Sequence, residues 1–553
     1  MKKTFLRIST LLLSSACLLT IGCQKQNANT SSEETYNIVR PEFDNDFTTY
    51  EVTANPTGIN MTYYSDIYSR GFSWLTNTET TDSELYLVKS DKGKDADFSN
   101  AEKIEGTCLE VTYAQGSKFS SKGINPEDGT IASYTESGKT SSSIDDTTCN
   151  SHKVHVENLE KGKAYSYKIG SESGYAYGAF VVEKEQFNSI TAVHLSDAQT
   201  KDANKHDYWR NTFVKAVEQA GNDLDMVLYN GDQFDQNMGK VNSSDSKSPS
   251  RILRYAKALN VIADYKASIP YMVSSGNHEE TAPYSQYVMS DVNYANYDHA
   301  GAYYSYDYGF AHVVVLNTNS VNDAQVEWLQ NDLDNASNAK WKIVMMHISP
   351  YSTGDHSNNS ENQKIIEKFT PVFSSKHVDL VLQAHDHTYN KTLPYKWDAA
   401  GYTTTTNNPD VVNYEPEKEI LNDINYDKNP NGTYYVTTGA AGHRNGASES
   451  DGVWAEVTND NGAWKGLNPS KTFLSNKYKV ELGALTQATE YEPCKFGSYD
   501  SDQKYEVGDL ASGNVNAAMF GVLNMNETTL SYHVYTVNGE TVKLFDTLDI
   551  LKA

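Results

Sequence analysis

At 553 residues the chain exceeds one ordinary domain, and with 38% apolar and 21% charged residues it has the composition of a folded protein with a sizeable core, which excludes wholesale disorder. A formal net charge of −26 opposes a nucleic-acid backbone, whose binding needs clustered Lys and Arg, so no nucleic acid polymer is expected as a partner. The acidity otherwise fits the solubility of an exported protein and assigns no function.

In chain order, Lys2 and Lys3 precede an apolar stretch, broken by Arg7, that continues through Leu11-Leu12-Leu13 to Ile21. It is shorter than the roughly 20 apolar residues of a permanent bilayer helix and reads as a signal peptide. Gly22-Cys23 at its end resembles the lipobox of bacterial lipoproteins, which implies cleavage before Cys23 and acylation of that cysteine. Ordinary cleavage without a lipid is the alternative. On this reading residues 1–22 are a lipoprotein signal peptide and 23–35 a polar tether. The protein is then extracytoplasmic, held at the membrane through a lipid anchor or secreted. Export permits disulfides among Cys108, Cys149 and Cys494; the first two flank strand-like segments and could pair, and the connectivity stays open.

From Tyr36 to about Glu185 short alternating runs, such as Leu85-Tyr86-Leu87-Val88 and Tyr165, Tyr167, Ile169, indicate half-buried strands without intervening helices, hence a β-sandwich. From Ser189 the pattern changes to apolar runs at 190–195, 226–229, 271–273, 313–316, 343–346 and 378–382. Helical segments at 202–220, 250–265, 323–335 and 361–373 alternate with them, as in an α/β layered domain. Residues 394–432 and 448–514 are polar and aperiodic and read as loops or insertions. Alternation returns at Leu530, Tyr532 and Val534, and Asn538-Gly539 before Val542 signals a hairpin with a type I′ turn.

Chemistry concentrates at the strand ends: Ser196-Asp197-Ala198-Gln199, Gly231-Asp232-Gln233-Phe234-Asp235, Gly276-Asn277-His278-Glu279, Met346-His347 and Ala384-His385-Asp386-His387. Successive parallel strands present their C-terminal ends at one sheet edge, so these residues converge. Singly, each has a commoner explanation: Asp197 as a helix cap, Gly231-Asp232 as a turn, His347 as a core histidine. The ordered set carries the weight. Carboxylates, imidazoles and an amide without thiolates suit Zn, Fe or Mn, and two metals about 3.5–4 Å apart, sharing a bridging carboxylate, suit a phosphorus ester.

This series resembles the calcineurin-like metallophosphoesterase superfamily, and within it the purple acid phosphatase-like branch, whose catalytic domain follows a β-sandwich. Gly71-Phe72-Ser73-Trp74 and the stretch 155–170 are similar to that branch's N-terminal module. The resemblance implies a fibronectin type III-like N-terminal β-sandwich over 36–186 and a four-layer α/β/β/α metallophosphoesterase domain over 187–445. Residues 446–553 would be a polar insertion followed by a C-terminal β-hairpin packing on the catalytic domain. It also implies that Asp232 bridges two divalent or trivalent metal ions (Fe, Zn or Mn). Asp197 and His387 would complete the first site, and Asn277, His347 and His385 the second. His278 and His356 would be outer-sphere imidazoles, stabilising charge or protonating the leaving alkoxide, and the nucleophile a metal-bound hydroxide. Gly439-Ala440-Ala441-Gly442 is similar to a segment whose backbone closely approaches the site.

Two departures stand out. Asp235 occupies the place of the branch's metal-binding Tyr, which implies a colourless protein, and Gln199 replaces a His of the wider superfamily. Both are candidate additional metal ligands, directly or through water. The activity implied is an extracytoplasmic acid phosphatase-like phosphomonoesterase acting on a phosphate ester substrate. A phosphodiesterase or nucleotidase shares the scaffold. A non-catalytic surface binding lipoprotein is the reading from another class, weakened by six retained ligand positions.

Overall fold

The computed structural model describes residues 36–42, 46, 48–113, 118–121, 134–137, 147–200, 203–235, 244–245, 247–279, 303–351, 360–387, 389–392, 394, 396–398, 410–411, 416–442 and 518–553. Cys23, the signal and tether segments, His356 and Cys494 lie outside them.

The alternating N-terminal runs build two antiparallel four-stranded sheets. One takes the order 57–62, 70–76, 147–156, 107–113, and the other 174–181, 164–171, 84–89, 102–105. Period-2 alternation sends Tyr165, Tyr167 and Ile169 inward, where they meet Phe72, Trp74, Leu85, Leu87 and Phe180 in a shared core. Cys108 faces His152 and Cys149 faces Val111 across neighbouring strands. The two cysteines are therefore three residues out of register, about 10 Å apart along the strand and on opposite faces. No disulfide can join them without backbone movement, and both thiols are free.

The N-terminal sheets also share a core with strands later in the chain. Tyr63, Ile67, Leu75 and Cys149 belong to the same core as the strands at 190–195 and 226–229. The Tyr63 ring lies 5.8 Å from Tyr306 and 5.7 Å from Tyr308, and its hydroxyl donates to Glu183 Oε1 at 2.7 Å. Arg70, fully buried, pairs with the same carboxylate at 2.8 Å and lies over the rings of Tyr63 and Phe180.

The remainder holds two larger sheets. An eight-stranded sheet runs in the order 271–273, 226–229, 190–195, 518–525, 529–538, 541–551, 424–428, 417–421; a six-stranded one runs 304–308, 311–315, 341–348, 380–384, 434–438, 389–391. The continuous apolar runs serve two cores at once. Val313, Val315, Ile343, Met345, Leu380 and Leu382 face the other sheet. Val314, Val344, Met346 and Val381 face Leu329, Leu333, Ile365, Phe369 and Phe373 of the helices Asp323–Asn335, Ser360–Lys368 and Thr370–Ser375. Helices Ala203–Ala220 and Arg251–Asn260 cover the eight-stranded sheet with Trp209, Phe213 and Leu259, which completes four layers.

Four expectations change. The helix expected over 250–265 breaks after Asn260, at the β-branched pair Val261-Ile262, and resumes only as Ala263–Lys266. The C-terminal hairpin is not packed on the domain but is part of its sheet: Ala518–Met525 pairs antiparallel with Ile190–Leu195, and the hairpin strands extend outward from it. Its turn is also displaced by one residue, since Asn538 pairs with Thr541 and Gly539 alone takes a positive φ of 56°. Finally, Glu417–Leu421 and Ile424–Lys428, expected as loop, form an edge hairpin.

An ion triad staples the six-stranded sheet to its helix. His312 approaches Asp307 at 2.7 Å through Nδ1 and Asp332 at 2.9 Å through Nε2, and Ser305 donates to the other Asp332 oxygen. Burial pushes His312 down, but the two carboxylates outweigh it and raise it to about 9. A histidine raised in the folded state adds stability that is complete below its unfolded value near 6.5 and lost as pH rises through 9. With Asp307 mostly exposed, the contribution is on the order of 1–2 kcal/mol. Thermal unfolding should therefore show His312→Gln destabilised at pH 6 and converging on the wild type by pH 9.5; a constant difference across that window would contradict the triad's role.

Candidate metal centre

The parallel strands at 190–195, 226–229 and 271–273 in one sheet, and 341–348 and 380–384 in the other, end at one crevice. The backbone there is contorted: Asp197, Gln199, Asp232, His385 and His387 all adopt left-handed φ, between 41° and 76°. Side chains with a Cβ rarely occupy that region, and their concentration at one site marks strain held by the surrounding fold. His347 lies where the pairing of its strand with 380–384 slips by one residue between Met345 and Ile348. Such a bulge re-aims a side chain, here toward the crevice.

Two groups of ligand atoms assemble. Asp197, Asp232 and His387 form one, and Asp232, His347 and His385 the other, with the atoms of each group within 4.8 Å of one another. Asp232 belongs to both. Its Oδ1 accepts the backbone N–H of His278 at 2.8 Å, whereas Oδ2 lies 3.3 Å from His347 Nε2 and 3.7 Å from His278 Nε2. Asp197 is oriented likewise: Oδ2 accepts His385 N–H at 3.1 Å, and Oδ1 stands 3.2 Å from His387 Nε2.

The donor set fits metal ions on two counts. His347 Nδ1 donates to the Asn230 carbonyl at 2.6 Å, which leaves Nε2 as an acceptor, yet Nε2 faces the Asn277 carbonyl oxygen at 3.0 Å. A neutral His347 would set two lone pairs against each other there, so Nε2 carries either a proton, as an imidazolium, or a metal ion. Asp197 Oδ1 and both ring nitrogens of His387 are buried without a hydrogen-bond partner, although Oδ1 and Nε2 are near neighbours. Oδ1 and Nε2 point at one another, disposed as co-ligands of one ion. Without metal, protons occupy this role. Burial alone would raise both aspartates. Instead His387 and His347 hold Asp197 low, and His278, His347 and His385 hold Asp232 well below the carboxylate range. His347, pushed down by burial, is carried up to about 10 by Asp232 and Asp197.

The two extra candidates are placed otherwise. Gln199 turns its amide nitrogen toward Asp232 Oδ2 at 3.1 Å, as a donor to that carboxylate. Asp235 falls outside both ligand groups, with its carboxylate 4.0 Å from His278 Nδ1. His278 itself is buried beside Asp232 at the rim of the ligand groups. Glu279, to which the sequence alone assigns no role, is buried and accepts the backbone N–H groups of Asp232, Gln233 and Gly276. Burial and the charge of Asp232 raise it to about 8, while the amides of Asp232 and Gln233 oppose the rise.

The glycine segment after 434–438 closes against the first motif. Ala441 N–H donates to the Ser196 carbonyl at 2.7 Å, and a Cβ on Gly442 would lie 1.8 Å from the Ala198 carbonyl oxygen. Only glycine permits that approach.

Residues 190–389, which contain every ligand candidate, match the family model for calcineurin-like phosphoesterases, so this part of the chain is a calcineurin-like metallophosphoesterase domain. Its relatives include purple acid phosphatases. The chain is 26% identical over 316 residues to acid phosphatase type 7 of Mus musculus, covering 53% of this chain and 64% of that one. It is 22% identical over 360 residues to purple acid phosphatase 1 of Ipomoea batatas, covering 61% and 69%. The fold matches the structure of purple acid phosphatase PPD1 from yellow lupin seeds with a TM-score of 0.53, at 14% identity, over 90% of this chain and 74% of that one.

Gly442→Ala should displace the Asp197 turn at a cost of about 1–3 kcal/mol. The expected result is a lower melting temperature together with reduced metal content; wild-type values of both would show that the close approach is dispensable.

Proposed function

We propose that the protein is an extracytoplasmic, metal-dependent phosphomonoesterase of the acid phosphatase type, using a dinuclear centre bridged by Asp232. The observation that carries this reading is the sharing of one buried carboxylate residue, Asp232, between two clusters of imidazole and carboxylate ligands. Asp197 and His387 would hold the first metal, and Asn277, His347 and His385 the second. When bound, the pair would supply Lewis acidity toward a phosphoryl oxygen and an activated water.

The protein's own groups do the rest. His278, on the same turn as Asn277, would donate to a phosphoryl oxygen or to the leaving alkoxide, and His356 is proposed as a second imidazole of that kind. Gln199 steadies the Asp232 carboxylate through Oδ2. Residues 36–186 would be a non-catalytic fibronectin type III-like module. Cys23 would carry a lipid that keeps the enzyme at the membrane. With Asp235 in place of a metal-bound Tyr, the protein would be colourless.

Protein purified without chelators should contain about two metal ions per chain and hydrolyse p-nitrophenyl phosphate faster than bis-p-nitrophenyl phosphate. Diester preference would move the assignment to a phosphodiesterase on the same site. Absence of both metal and turnover, even after adding Zn, Mn or Fe, would overturn it in favour of a surface binding protein. Asp232→Asn should lower kcat by more than about 100-fold, beyond the usual effect of an outer-shell partner, with the circular dichroism unchanged; substantial retained activity would contradict the bridging role.

A further inference from the structure

Glu279 is 1% exposed, and both its oxygens are taken by backbone amides. Oε2 accepts from Asp232 at 2.7 Å and from Gly276 at 3.0 Å, and Oε1 accepts from Gln233 at 2.7 Å. One carboxylate thus ties the turn after 226–229 to the turn after 271–273. The turns abut so closely that a Cβ on Gly231 would fall 2.4 Å from Gly276 N, and one on Gly276 would fall 2.2 Å from Asp232 Oδ1.

The 3-10 turn Asn277–Glu279 holds Asp232 at a second point, through the His278 N–H on Oδ1. Backbone nitrogen and side-chain oxygen of Asp232 are therefore gripped by two consecutive residues. The remaining oxygen, Oδ2, is left with no freedom to turn away from the ligand clusters. Gly276 is secured on its other side by Asn319, which donates to its carbonyl at 2.8 Å.

We infer that Glu279 is a positioning residue for the dinuclear centre: by fixing Asp232 against the Asn277 turn, it sets the alignment of the shared carboxylate with the two metal sites. The inference rests on the two-metal reading above. It assigns Glu279 no contact with metal or substrate, and its effect should appear in the pairing of the metals before it appears in chemistry. Glu279→Gln keeps the shape but turns an NH₂ group against one set of amide donors. Glu279→Asp keeps the carboxyl group but is one methylene too short to reach both turns.

The test is calorimetric titration of Mn(II) into the chelator-stripped full chain, with electron paramagnetic resonance of the loaded protein. The wild type should bind two Mn(II) and give the spectrum of a spin-coupled pair. Each variant should retain one site within about threefold and weaken the other by about 10–100-fold, with the spectrum of isolated Mn(II) replacing that of the pair. For p-nitrophenyl phosphate, kcat should fall while KM stays within about threefold. Wild-type affinity for both ions and an intact coupled spectrum in either variant would overturn the inference. Fewer than two sites in the wild-type chain would instead refute the dinuclear reading beneath it.

Discussion

Two aspartates buried to 1% exposure, reaching toward one another across a crevice, set the constraint on which this architecture depends. Carboxylates taken out of water favour their neutral form, and two of them together favour it more. Here the opposite holds, because imidazoles from three further turns surround them and keep both low. A cluster that stabilises its carboxylates by gathering cations is predisposed to hold metal ions, which exceed protonated histidines in charge and need no hydrogen-bond geometry. The Asn277 carbonyl oxygen facing His347 Nε2 expresses the same requirement, met by a proton or by a metal ion.

Meeting it demands precision from the backbone. Five positions in left-handed φ, one strand slip at His347 and a glycine pressed on Ala198 are each unfavourable locally. They persist because the strands behind them are locked on both faces, between the inter-sheet core and the helix-facing core. The N-terminal sheets add to that rigidity, since Tyr63 and its neighbours complete the same core.

The site was legible in the sequence to the extent that strand ends are. Apolar runs stopping at Asp197, Asp232, Asn277 and His385 announce both the strands and the edge where they converge. Buried strands in a parallel arrangement offer no other place for such polar residues. What escaped reading depended on contacts distant in sequence or on backbone shape. Glu279 looks like any acidic residue until its amide partners from residue 232 are seen. Gln199 and Asp235 were chemically plausible ligands, and only the direction of the amide and the distance of the carboxylate separate them from the ligand groups. The hairpin 417–428 is polar on most of its surface and lacks the apolar alternation that reveals strands. The placement of 518–525 beside 190–195 joins segments more than 300 residues apart, which local periodicity cannot encode.

The central claim is that Asp232 is shared by two ions, and anomalous X-ray scattering from crystals grown with Mn(II) tests it most directly. The account predicts two anomalous peaks about 3.5–4 Å apart, both in contact with Asp232. A single peak, or two peaks of which only one contacts Asp232, would contradict it.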